Sequence, residues 1–93
     1  MKIKATQVLV GLDGEKLDNN GKGELTIGLA ISNILSVTKS DNQVRSWYLA
    51  QEFYKKDEVT LKAEEVVFLK ELIARNELYF PIVTGQLLQL IEE

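Results

Sequence analysis

Neither histidine nor cysteine occurs among the 93 residues of this chain. Their absence removes the usual general base near neutral pH, the thiolate nucleophile and the two best zinc ligands. It also means that the fold cannot rest on disulfides, which suits a reducing cytoplasm, and a cytoplasmic location is expected. No apolar run approaches the roughly 20 residues of a membrane helix. The opening Met1-Lys2-Ile3-Lys4-Ala5-Thr6 has basic residues without an apolar stretch behind them, so no secretory leader is expected. Carboxylates remain, but Asp57-Glu58 and Glu64-Glu65 are sequence neighbours that read as exposed cap residues. A glycosidase-type pair needs two carboxylates facing across a cleft. The chain is therefore expected to be no enzyme, with no catalytic, metal or cofactor site.

What is present is an ordinary globular composition, 45% hydrophobic and 27% charged, with one expected domain over residues 1–93. Charge is uneven. Residues 1–56 hold eight Lys and Arg against six Asp and Glu, a net +2, whereas residues 57–93 hold three against eight, a net −5. The acidic half reads as a solvated helical face, or as a surface that docks a basic partner. Neither half has the dense basic stripe of a nucleic-acid binder.

Residues 2–10 are β-branched at Ile3, Thr6, Val8 and Val10 and run into Gly11-Leu12-Asp13-Gly14. Asp-Gly between apolar flanks predicts a hairpin, with a return strand through Glu15-Lys16-Leu17. Four helices are expected after it, near 26–37, 43–55, 63–76 and 81–92. Thr26 and Asp41 are the expected caps of the first two. Glu64 and Glu65 suit the first turn of the third, and Pro81 that of the fourth. Gly28 weakens the first helix, so another backbone is expected to approach it closely. Val59-Thr60-Leu61 reads as a short β-like segment. The expected fold is α+β, a hairpin packed on four helices. Its predicted core is Ile27, Ile31, Ile34, Leu35, Leu49, Phe53, Val66, Leu69, Leu72, Ile73, Leu87 and Leu90.

The segment Asp18-Asn19-Asn20-Gly21-Lys22-Gly23 is rich in turn formers. As a calcium loop starting at Asp18 it would use Asn20 third and Gly23 sixth, but Lys22 falls fifth and Ala30 twelfth, where a bidentate carboxylate belongs. As a dinucleotide or phosphate loop it lacks the third glycine and the Gly-Lys-Ser/Thr ending.

Aromatic residues cluster: Trp47, Tyr48, Phe53 and Tyr54 are four of the seven in the chain. They leave the helix 43–55 with more apolar surface than one core face can use. Either this helix is central and buried, or its surplus anchors a partner. On the second reading the candidate partner-binding residues are Arg45, Trp47, Tyr48, Tyr54 and Tyr79, the residue types that dominate interface hot spots. A homodimer through this helix, or through a strand edge left open at Val8-Leu9-Val10, would use the same surplus. A helix-turn-helix formed by 26–37 and 43–55 is the alternative, although its second helix offers mainly Gln43, Arg45, Gln51 and Lys55 to DNA.

Three stretches, ATQVLVGLDG (5–14), LTIGLAISNIL (25–35) and LAQEFYKKDEVTL (49–61), with the closing GQLLQLIE, resemble short reading frames of temperate phages and prophages. The resemblance implies a small intracellular protein that acts by binding a phage or host protein. It carries no catalytic residues.

Overall fold

In a computed structural model describing residues 1–19 and 21–92, the chain forms β1 (Lys2–Lys4), α1 (Ile27–Val37), α2 (Gln43–Lys55), β2 (Glu58–Thr60), α3 (Ala63–Arg75) and α4 (Pro81–Glu92). Asn20, the third position of the calcium reading, lies outside the described residues. The class is α+β, as expected, and each helix begins and ends within a residue of its expected bounds. Local chemistry sets those bounds. The Thr26 hydroxyl accepts from the Leu29 N–H at 3.1 Å, Pro81 opens α4, and Asn76 closes α3. Asp41 does not cap α2. That role falls to the next residue, Asn42, whose Oδ1 accepts from the Arg45 N–H at 3.0 Å.

The first helix is the hub. None of its 11 residues is ionisable, and Ile27, Ala30, Ile31, Ile34 and Leu35 are all buried. It packs against α2, α3 and α4, most extensively against α2. An uncharged helix can be surrounded at no desolvation cost, whereas α2, with Arg45, Glu52 and Lys55, cannot. At Gly28 the close approach expected from the sequence is present. An added Cβ there would lie 2.6 Å from the Phe53 carbonyl oxygen and 2.8 Å from the Ala5 Cβ. The Gly28 N–H also donates to the Ala5 carbonyl at 2.9 Å.

That bond explains why the strand expected over 2–10 is not continuous. Ala5 is held on both sides, its N–H donating to Asp57 O at 2.8 Å and its carbonyl accepting from Gly28. The regular ladder therefore ends at Lys4. Within β1 the partner is β2, antiparallel, with Ile3 opposite Val59. The Asp13-Gly14 turn does form, with Gly14 at φ 83°, and sets Val10 opposite Lys16. Beyond it the chain closes a triangle of backbone hydrogen bonds. Leu9 N–H donates to Leu25 O, Leu25 N–H to Leu17 O and Leu17 N–H to Leu9 O, at 2.8–2.9 Å.

The apolar edge at Val10 is covered by α4. The Gln86 side-chain amide accepts from the Val10 N–H at 3.2 Å and donates to the Val10 carbonyl, standing in for a neighbouring strand.

One continuous core joins these parts. Ten of the twelve predicted core residues are buried in it, while Val66 and Leu90 pack at its margin. The sequence reading missed the contribution of Ile3, Ala5, Leu9, Leu25, Val59 and Leu61 from the non-helical segments.

Two glycine-to-alanine substitutions should have opposite signs. Gly28→Ala forces a methyl against a backbone carbonyl and should destabilise by about 1–3 kcal/mol, more than the helix-propensity gain offsets. Gly85→Ala, in α4 with no atom within 4 Å of the new methyl, should stabilise by about 1 kcal/mol. Urea denaturation of both variants checks this. A Gly28→Ala protein as stable as Gly85→Ala would contradict the close contact.

Candidate partner-binding surfaces

α2 lies at the periphery, which overturns the reading of it as a central, buried helix. Its Ser46, Leu49, Ala50 and Phe53 face inward, so the residues between them must face out. Trp47 is 64% exposed, Tyr48 56% and Tyr54 69%, with Val44 on the same side at 80%. Trp47 and Tyr54 flank a hollow of about 350 Å³ whose floor is Ala50 and, from α1, Ser32.

Arg45 and Tyr48 are already engaged within the chain. The Arg45 guanidinium carbon sits 5.6 Å from the centre of the Phe68 ring on α3, a cation–π distance. The Tyr48 hydroxyl donates to Glu52 Oε1 at 3.3 Å, and Lys56 Nζ donates to the same oxygen at 2.8 Å. The hydrogen bond from Lys56 holds the Glu52 carboxyl below its ordinary range, and that bond in turn pushes the Lys56 ammonium up.

Tyr79 belongs to a different surface. Its hydroxyl accepts from Asn33 Nδ2 at 2.9 Å, tying the segment between α3 and α4 to the solvent side of α1. Asn76 shapes that segment, its Oδ1 accepting from the N–H groups of Leu78 and Tyr79 at 3.1 and 3.0 Å. The bend leaves Phe80 82% exposed beside Leu78 and Ile82. These side chains, with Val37 and Leu25, line a groove of about 480 Å³ in which Asp18 is the single charged residue among those described. Phe80 was missed as a candidate. The available signal was an aromatic immediately before the proline that opens a helix, where no apolar spacing assigns it to the core.

The two surfaces meet. Ser36 lines the Trp47–Tyr54 hollow, the Tyr79–Phe80 groove and a smaller 210 Å³ depression between them. α1 supplies the uncharged floor of all three through Ser32, Asn33, Ser36 and Val37.

The described residues of the 18–24 segment are held by local contacts. The Asp18 carboxylate accepts from the Gly21 N–H, Asn19 N–H donates to Gly23 O at 2.7 Å, and Lys16 pairs with Glu24 at 3.0 Å. Among the described residues, no three Asp or Glu side chains are grouped to hold a metal ion. No helix among them is long and apolar enough to cross a membrane. No family model, curated protein or solved structure matches the chain.

The Glu52–Lys56 contact yields a titration prediction. Glu52 should titrate below the ordinary carboxylate range, and Lys56→Met should raise it. A depressed carboxyl stabilises the fold above its unfolded value and loses that contribution as pH falls through its folded value. The raised Lys56 loses its contribution only as pH rises through its own folded value, so the pair is fully effective at neutral pH. Carbon-detected NMR of the Glu52 side chain checks this; an unchanged titration in Lys56→Met would refute the assignment.

Proposed function

We propose that this chain is a non-catalytic binding module that receives an apolar segment of a protein partner in the Tyr79–Phe80 groove. The observation that carries this reading is Phe80, a large aromatic left in solvent beside Leu78 and Ile82 on the rim of a 480 Å³ groove. An exposed apolar cluster rimming a concave, nearly uncharged surface is the usual form of a protein-docking site. The likeness to phage and prophage reading frames favours a phage or host protein in the cell interior as that partner. A nucleic-acid regulator is the weaker reading. Of the cations on α2 and at its C-terminal cap, Arg45 is stacked on Phe68 and Lys56 is bonded to Glu52. That leaves Lys55 alone on the helix that would have to meet phosphates.

Tagged protein should capture a defined partner from the native or infected cell, and Phe80→Asp should abolish that capture without unfolding the chain. A partner captured equally by wild type and Phe80→Asp would exclude the groove. Tight, salt-sensitive retardation of DNA fragments in a gel would favour the nucleic-acid reading.

A further inference from the structure

The outward face of α2 has a spacing that its own core does not use. Val44, Trp47, Gln51 and Tyr54 are separated by three, four and three residues, the a-d-a-d pattern of a helix–helix seam. The inward face is already satisfied by α1 through Leu49, Ala50 and Phe53. The seam is thus a second apolar stripe on a helix whose first stripe is buried.

We propose that α2 pairs antiparallel with α2 of a second copy of this chain about a two-fold axis, with Val44 opposite Tyr54 and Trp47 opposite Gln51. This self-association uses a different surface from the Phe80 groove. Three observations fix the occupant and its direction. First, the pattern is self-complementary in that sense. Reversing one helix places each a position against a d position, so the two different residue pairs recur on both sides of the axis. Second, the hollow beside the seam is the socket this register needs. Trp47, Ala50, Gln51 and Tyr54 line it, and these are the d, g, a and d residues that form a hole for one knob in knobs-into-holes packing. In the stated register the knob that reaches this hole is Trp47 of the second copy, and the exchange is reciprocal. Third, the charges agree. Lys55 is exposed, with no salt bridge among the described residues. The antiparallel register brings it near exposed Asp41 of the second copy, at the opposite helix's N-terminal end. A parallel pair would instead carry Lys55 away from that aspartate and align the two helix dipoles unfavourably.

The interface is small. With aromatic side chains offering roughly 150–250 Å² each, the exposed parts of Trp47, Tyr48 and Tyr54 supply roughly 300–450 Å². A standard interface buries about 800 Å² per partner. The dimer is accordingly weak and concentration-dependent.

The absence of cysteine makes the geometry directly testable. Val44→Cys and Tyr54→Cys alter exposed residues and should leave the circular dichroism spectrum unchanged. Mixed at on the order of 100 μM and oxidised, the two variants should form a mixed disulfide dimer, while either alone should form little. In an antiparallel pair, Val44 and its counterpart stand about 15 Å apart along the axis, ten residues of helix rise, beyond the ~7 Å Cα separation a disulfide spans. In a second arm, Lys55→Glu should weaken dimerisation of the otherwise unaltered chain about fivefold to tenfold. Adding Asp41→Lys should restore it, as read by sedimentation equilibrium. Cross-linking of each single variant as efficient as that of the mixture would overturn the antiparallel register. A chain that stays near 10.5 kDa at that concentration, with no cross-linked product, would overturn the dimer. Neither result bears on the groove, whose partner capture depends on Phe80.

Discussion

At Gly28, the N-terminal turn of α1, the Ala5 backbone and the Phe53 carbonyl come within a methyl group's width of one another. Three parts of the chain are joined there: the end of β1, the start of the hub helix and the last turn of α2. Because the Gly28 N–H is spent on Ala5, β1 must stop at Lys4, and Ala5 is left facing Asp57 in the connection between α2 and β2. That contact draws the 57–60 segment alongside 2–4, where Ile3 and Val59 enter the core together. The sheet is therefore a consequence of the helix packing. Two strands of three residues would be marginal if they stood alone.

The same contact accounts for the surface. With α1 in the middle and its N-terminal turn pressed against α2, the second helix has its inward side covered and leaves its Val44, Trp47 and Tyr54 side open to solvent. Its remaining apolar residues have nowhere to go but out. Arg45 and Glu52 mark the border, one stacked on Phe68 and the other held by Lys56 and Tyr48. Both groups rim the aromatic face and fix its neighbours.

Periodicity located the helices because a 3.6-residue stripe is a local signal, and Thr26, Pro81 and Asn76 punctuate it within one turn. Gly28 was legible for a related reason: a glycine inside such a stripe has no local purpose, so it points to a tertiary one. The pairing of β1 with β2 was not legible. Residues 2–4 and 58–60 are far apart in sequence, and nothing in either segment names the other, whereas Asp13-Gly14 advertises a local turn that does form. Aromatic content predicted that α2 carries a surplus but left open which way it faces. The deciding fact was the lack of charge on α1, a property of a neighbouring element. Phe80 escaped notice because exposure of a lone loop residue is set by the bend at Asn76, a hydrogen-bonding arrangement that no spacing rule encodes.

Gln86 has a consequence for the order in which the molecule is made. The amide that covers the Val10 edge lies 76 residues further along the chain. At synthesis rates of roughly 5–20 residues per second, the edge stands bare for roughly 4–15 s before its cover emerges. Val8-Leu9-Val10 is during that interval a short sticky strand on a growing chain, protected only by the turn at Asp13-Gly14 and by whatever the leucine triangle has already closed. The charged residues beside the turn, Asp13, Glu15 and Lys16, serve as gatekeepers while the last helix is still to come.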